Sequence, residues 1–438
     1  MNGSASRTIT IPHLGRVEGH GGIFLKIVDD RVVEVNLDIH EGSRFYERLL
    51  VGKNYLEVQG IITRVCAICS ADHTVAALMA LENALGLPET ERVQRLRGLL
   101  LLGAAIESHA LHVFALALPD YLGFDSVIAM SEKYPTEVAS ALQLKQLGNR
   151  VQELVGGRPV HPINPIVGGF GRLPSHRQLS ALREELTGAI DSAMRFVDLA
   201  VTLELPGWST NPTVFMALRP DDAVYRFRGL TLCTSRGEEY PAASYREVVQ
   251  EYAVEHSHAK HAALASGGTY MVGALARLWL LGDRLGGRAR EAYERLFPDG
   301  VQPNVLLNNW AQLVEIVHCL ERGVALCDEL VSVSETDRDA IEFEVRAGRG
   351  IAAIEVPRGI LFHEYEIDDH GTVVAANIVT PTAQNLANVE DDLRAAAEAL
   401  LLTGLPCGDA ELQGNLEMVV RAYDPCISCS VHVVRVDS

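Results

Sequence analysis

The feature that most constrains this chain is the placement of four of its cysteines. Cys66/Cys69 and Cys426/Cys429 form two C-x-x-C pairs near opposite ends of a 438-residue sequence. That spacing lets a turn aim two sulfurs at one ion, and four thiolates together make one soft metal site. Pairs so distant meet only if the whole chain closes on itself. The sequence is therefore read as one large domain, residues 1–438, although its length alone allows two or three. No linker or repeat separates the pairs. Eight cysteines are too few for a disulfide scaffold, and Cys233, Cys319, Cys327 and Cys407 read as small buried apolar residues. Lys and Arg number 38 against 57 Asp and Glu, a net charge of −19. That balance disfavours a nucleic-acid partner, because phosphates are held chiefly by Lys and Arg. No uninterrupted apolar run reaches the roughly 18 residues that span a bilayer. The opening MNGSASRTIT lacks the apolar stretch of a signal peptide, so a cytoplasmic location without membrane insertion is expected.

Apolar periodicity predicts an α+β fold, predominantly α-helical, with a buried helical core and small peripheral hairpins. Strands are expected in about 8–45, with Ile23–Val28 and Val33–Ile39 joined through Asp29-Asp30. Helices are expected over about 56–350, at Thr74–Leu85 (closed by Gly86), Glu91–Leu118, Ser175–Leu203, Ala243–Leu264, Gly268–Leu296 and Asn308–Leu330. The Glu91–Leu118 stretch is apolar almost all round, the mark of a buried helix. Strand patterns recur at Tyr225–Leu232 and Gly359–Ile378, the latter turning at Asp368–Gly371. A last helix is predicted from Val389 to Thr403, capped by Asn388 and ended by Gly404. The C-terminal segment, about 351–432, carries the second cysteine pair.

Structural zinc is the commonest occupant of four cysteines. Three features argue against it here. The pairs are not joined by the short loop of a zinc ribbon. The first pair runs straight into an apolar helix. Arg64 and His73 flank the first pair, and Asp424 and His432 flank the second, groups suited to handling protons beside a metal. His256, His258 and His261 also have ligand spacing, but are read as part of a helical segment without a ligand role.

Arg64-Val-Cys-Ala-Ile-Cys and Asp424-Pro-Cys-Ile-Ser-Cys-Ser-Val-His432 resemble the two cysteine motifs of the nickel–iron hydrogenase large subunit. The resemblance extends along nearly the whole chain in matching order. Arg16-Val-Glu-Gly-His20, Glu47 nineteen residues before Cys66, Ser108-His109-Ala-Leu-His112, His161-Pro162 with Gly168-Gly169-Phe170, Val356-Pro-Arg-Gly359 with His363, and Thr380-Pro-Thr-Ala-Gln-Asn385 all have counterparts. The wording of the cysteine motifs is most similar to the cytoplasmic, bidirectional, NAD(P)-coupled members.

The resemblance implies the catalytic subunit of an enzyme that reversibly cleaves H2 to two protons and two electrons at a nickel–iron centre carrying carbon monoxide and cyanide. Cys66, Cys69, Cys426 and Cys429 would bind nickel, with Cys69 and Cys429 also on iron. Cys429 and Glu18 would move the proton; a carboxyl in a dry site has a raised pKa suited to that. Arg358 would sit over the open metal position, with Pro357 closing the pocket. Thr382 would donate to a cyanide, His73 to the Cys69 sulfur, and Asp424 would orient Arg358. Glu47 and His432, with a backbone carbonyl near Ile378, would hold a second ion, magnesium or iron.

Two positions depart from the family. Ala67 stands where many relatives have Gly, a strain if the position needs φ > 0. Ser108 stands where membrane-bound members have an Asp. Six residues, Val433–Ser438, follow His432, which implies a precursor trimmed by a maturation protease after nickel-insertion proteins have acted. The chain has no dinucleotide fingerprint and no spare clustered cysteines. Iron–sulfur clusters are thus expected on a small-subunit partner, and flavin and NAD(P) on diaphorase-type subunits. The alternative is a non-catalytic redox-complex scaffold related to the quinone-site subunit of complex I.

Overall fold

The computed structural model describes residues 6–333, 343–402 and 409–431. Alternation at the N-terminus does build a sheet. Ser6–Ile11 pairs antiparallel with Gly21–Val28, which pairs with Arg31–Ile39. Asp29 and Asp30, at φ 49 and 56, form the tight turn. Two successive left-handed residues match the twist of the flanking strands.

The helices follow their start and stop signals. Ser70–Leu85 begins directly at Cys69 and ends at Gly86. Glu91–Ala110 is capped by Thr90, whose side chain accepts from Val93 N–H, and continues through a π-helical turn to Leu122. Glu91–Leu122 is long and apolar enough to cross a membrane, yet 83% of its most apolar stretch is buried inside the protein. It packs between Pro135–Gly156 and Asn308–Val331, and the latter packs on His176–Val201. These helices carry one apolar core that runs from Ile9 to Val431. Small antiparallel sheets complete an α+β architecture.

The sheet that matters most for the site joins Gly348–Val356, Gly359–Ile367 and Val373–Val379. Val356 pairs with Gly359, so Pro357-Arg358 is a two-residue hairpin tip. This sheet lies on the Ser70–Leu85 helix. A Cβ at Gly350 would stand 2.0 Å from the Ala80 carbonyl oxygen and 2.2 Å from Ala84 N. Only glycine permits that approach, because backbone on both sides has nowhere to move. Gly350→Ala is expected to cost about 3 kcal/mol, the upper end of overpacking penalties. Denaturant titration checks this, and a loss below about 1 kcal/mol would mean the sheet can lift off the helix.

Several elements differ from the sequence expectation. Ala243–Leu264 is not a helix. A short helix, Tyr245–Val248, leads into the hairpin Val249–Tyr252 with His261–Leu264. Val248, Val249, Ala262 and Leu264 are buried in a second, smaller apolar cluster, and sheet packing there overrides helical propensity. Gly268–Leu296 is two helices, Ala274–Leu281 and Gly287–Leu296, separated by a 3₁₀ turn at Gly282–Arg284. The strand near Tyr225–Leu232 is Thr231–Thr234. The last predicted helix starts eight residues early, at Pro381, a residue preorganised for the first helical turn. Asn388 is inside it, buried, and donates to Tyr423 OH at 2.6 Å. The polar side chains of the helix's first turns are satisfied inside the fold. Gly404 and Cys407 lie outside the described residues. Helices Pro135–Gly156 and Asp409–Ala422 were not predicted.

Candidate metal centre

The two cysteine pairs meet. Cys426 Sγ lies 2.8 Å from Cys429 Sγ, 3.4 Å from Cys66 Sγ and 3.7 Å from Cys69 Sγ, and all four are buried free cysteines. Cys69 is the N-cap of Ser70–Leu85. Hydrogen bonds with Cys426 and Cys429 favour the Cys69 thiolate, but the neighbouring Cys66 and burial outweigh them and leave its pKa raised. The second pair is set by Asp424, held in the left-handed region at φ 52 just before Pro425. Ala67 is not among the described residues with positive φ, so it carries no strain.

Glycine-specific packing brings the N-terminal motif to this loop. Ile427 N–H donates to Glu18 O at 3.0 Å, and Gly19 follows at φ +90. A Cβ on Gly19 would stand 2.6 Å from Ile427 Cβ. Glu18 Oε2 accepts from Ser428 N–H at 3.0 Å, and the Ser428 hydroxyl donates to Oε1. Glu18 thus borders the Cys426–Cys429 loop, half-buried rather than dry.

The thiols share their charge unevenly. Hydrogen bonds from Cys426, Cys429 and Cys69 drive Cys66 far below an ordinary thiol pKa. Burial pushes Cys426 and Cys429 well above it. Without a cation, four thiolates in so dry a space are incompatible. A soft polyvalent ion resolves that, so the donor set fits a nickel–iron group.

Arg358, at the hairpin tip, is the cation beside the sulfurs. Its Nε donates to Asp424 O at 2.6 Å and Nη2 to Asp424 Oδ1 at 2.8 Å; Nη1 reaches Ser108 Oγ at 3.2 Å and Cys69 Sγ at 3.4 Å. Ser108 thus takes a donor from Arg358 without supplying a charge. Cys69, Cys426 and Cys429 join Pro357, Arg358 and Thr382 around a cavity of ≈ 10 Å³, room for about one water-sized molecule. Thr382 Oγ1 accepts from Cys426 N–H at 3.0 Å, leaving its own proton free to donate elsewhere.

His73 Nδ1 faces His363 Nε2 at 3.0 Å, and His363 Nδ1 faces Tyr365 OH at 2.7 Å. Glu47 Oε1 accepts from Ile378 N–H at 2.8 Å, so the contact is to the amide rather than the carbonyl. Arg44 N–H, three residues before Glu47, donates to Val431 O at 3.0 Å. His432 lies outside the described residues. Arg64 contributes its carbonyl, to Tyr46 OH.

Sequence reasoning passed over two groups here. Asp72 lines the same cavity, and neither carboxylate oxygen has a hydrogen-bond partner. Burial pushes its pKa well above the carboxylate range. Its only sequence signal is its place three residues after Cys69. Arg277, fully buried, clamps the Arg358 hairpin. It donates to Glu315 at 2.6 and 2.8 Å, to Glu355 at 2.7 Å, and to the carbonyls of Val356 and Pro357 at 2.9 and 3.1 Å. Burial opposes ionisation of Glu315, but Arg277 overcomes it and holds the carboxyl well below its ordinary pKa. No local pattern marks Arg277, because its partners come from two distant segments, at Glu315 and at 355–357.

Comparison with known proteins agrees with this geometry. The nickel-dependent hydrogenase family matches residues 44–154 and 304–432, stretches that contain both cysteine pairs. Sulfhydrogenase 1 subunit alpha of Pyrococcus furiosus is 42% identical over 98% of both chains. The NAD-reducing hydrogenase HoxS subunit beta of Cupriavidus necator is 27% identical, over 98% of this chain and 95% of that one. The crystal structure of an NAD+-reducing NiFe hydrogenase in the H2-reduced state superposes with a TM-score of 0.87 at 28% identity, covering 97% of this chain and 99% of that chain. A Ni-Fe-Se hydrogenase from D. vulgaris Hildenborough shares the fold, with a TM-score of 0.81 at 21% identity and coverage of 98% and 100%. Matched along its length and at both cysteine pairs, this chain belongs to the nickel-dependent hydrogenases, oxidoreductases that act on hydrogen.

Proposed function

We propose that the chain is the single-domain catalytic large subunit of a cytoplasmic nickel–iron hydrogenase that reversibly splits H2 into protons and electrons. The observation that carries this reading is the convergence of four buried cysteine sulfurs beneath Arg358. Cys66, Cys69, Cys426 and Cys429 would hold the nickel, with Cys69 and Cys429 also on an iron bearing carbon monoxide and cyanide. When bound, that group supplies the Lewis acidity that polarises dihydrogen and the redox capacity that carries away its electrons.

The chain's own groups handle the proton. Cys429 is a base inside the site, and Glu18, bonded to Ser428 beside it, stands next in line toward the surface. Arg358 holds fixed donors over the sulfurs, and Asp424 fixes its fork. Pro357 and Leu361 keep the cavity apolar on one side, and Thr382 and Asp72 offer polar groups to a small ligand. Tyr365 OH donates to His363, whose Nε2–H then donates to His73 Nδ1. That order puts the remaining proton of His73 on Nε2, from which it would donate to Cys69. Glu47, which accepts from Ile378 N–H, would hold magnesium or iron together with His432. Two relatives named as NAD-reducing support coupling to NAD(P); an iron–sulfur small subunit and diaphorase-type partners would carry the electrons there. Maturation proteins would load nickel and remove 433–438. The scaffold alternative is disfavoured by the complete set of Cys66, Cys69, Cys426, Cys429, Glu18 and Arg358.

Infrared spectroscopy of the purified complex tests the reading. Metal carbonyl and cyanide bands are expected; a trimmed, nickel-free sample without them would overturn it. Glu18→Gln is expected to lower H2 oxidation about 10²–10⁴-fold while nickel content and those bands persist, because only proton transfer is removed. Unchanged turnover would take Glu18 out of the proton path.

A further inference from the structure

A second set of ligand-type side chains converges away from the cysteines. His256 lies between the strands Val249–Tyr252 and His261–Leu264, His261 opens the second of these strands, and Glu390 projects from the helix Pro381–Leu402. The ligating atoms of His256, His261 and Glu390 all lie within 4.8 Å of one another. His256 Nε2 is 2.8 Å from Glu390 Oε1, and His261 Nε2 is 3.5 Å from the same oxygen. Tetrahedral ligand atoms around a zinc ion at 2.0–2.2 Å stand about 3.4 Å apart, so little movement separates this arrangement from a coordination sphere.

The independent observation is His261. Its side chain is only 1% exposed, and neither ring nitrogen completes a hydrogen bond. Buried polar groups are almost always satisfied, yet Nδ1 has no hydrogen-bond partner and Nε2 has only the long approach to Glu390. The residue aims Nε2 at the oxygen it shares with His256. Glu390 is held in place from the other side, because Leu37 N–H donates to Oε1 at 2.8 Å. Asp38, the next residue, has a buried Oδ1 with no partner, and its charge is felt by His256 and Glu390. His258 takes no part: its Nδ1 faces the Glu41 carbonyl at 3.0 Å. His256 and Glu390 remain 25% and 19% exposed, which leaves an approach from solvent.

We propose that His256, His261 and Glu390 form a binding site for one divalent transition-metal ion of the zinc class, separate from the cysteine centre. Two imidazoles and one carboxylate are the donor set that zinc takes with an open fourth position. The ion would tie three segments together: the edge of the N-terminal sheet at Leu37, the hairpin around His261, and the helix whose first turn carries Thr382. It would thereby stiffen the support of the cysteine site without entering its chemistry.

The test uses the matured complex, freed of loosely held ions with a chelator and titrated with Zn²⁺ against a chromophoric competitor. Wild type is expected to bind one equivalent that His256→Ala and Glu390→Gln both lose, with hydrogenase activity as the control for folding. Equal zinc uptake by wild type and both variants would overturn the proposal and leave an ordinary hydrogen-bonded His–Glu pair. Anomalous scattering at the zinc edge from wild-type crystals gives a readout that needs no variant. A peak among the three side chains supports the site, and its absence at saturating zinc rejects it.

Discussion

Cys426→Ser is expected to reduce hydrogen oxidation to background and nickel content to less than about a tenth of an equivalent per chain. Cys426 is the hub of the centre, its sulfur within 2.8–3.7 Å of the other three. A serine hydroxyl is a hard donor that does not ionise at neutral pH, so it replaces neither the softness nor the charge of a thiolate. The backbone is spared, because Cys426 N–H still donates to Thr382 and Glu18 still holds the loop through Ile427 and Ser428. The variant is therefore expected to fold, and its loss to lie in metal retention. Elemental analysis and H2 uptake check it together. A serine variant with stoichiometric nickel and normal turnover would mean that the sulfur cluster is not the nickel site.

Arg277→Met is expected to destabilise the chain by about 3–5 kcal/mol, although Arg277 touches none of the four cysteines. The substitution removes all five donor contacts from Glu315, Glu355 and the hairpin carbonyls, at a place buried from bulk solvent. Glu315 keeps a hydrogen bond to His109, and Glu355 keeps one to Leu218 N–H, but two buried carboxylates then lack their cation. Denaturant midpoints measure the loss. Replacing Glu315 and Glu355 by apolar residues of similar volume in the same chain is expected to recover part of it, because the penalty is an uncompensated charge rather than a missing contact. A loss below about 1 kcal/mol for the single variant would refute this account. Turnover per folded molecule should fall as well, because the Val356 and Pro357 carbonyls set where Arg358 points.

The two long hairpins were legible for a local reason. Period-two alternation flanks Asp29-Asp30, a turn signal marks Asp368–Gly371 between two β-like stretches, and turn chemistry acts over four residues. The Ser70–Leu85 and Asn308–Val331 helices were equally plain. The region 243–264 was not, because its small helix and hairpin are decided by the apolar cluster around Tyr270, Phe362 and Val379. The start of the last helix was hidden for a related reason. Thr382, Gln384, Asn385 and Asn388 are polar yet buried, and their hydrogen-bond partners lie on other segments.

By itself, the sequence determined that the chain must close so that residues 66–69 and 426–429 meet. It did so because four soft donors in two turn-forming pairs have one economical use, and because the neighbouring motifs keep their order and spacing. Tertiary structure alone decided what surrounds those sulfurs. It buried the Arg358 hairpin tip against Asp424, clamped it with Arg277, left Asp72 without a hydrogen-bond partner beside the cavity, and placed the histidines expected on a helix in a loop and a strand, with His256 and His261 facing Glu390. Each of these depends on side chains tens to hundreds of residues apart in one dry interior, where the strength of a charge or hydrogen bond is set by burial that no local pattern encodes.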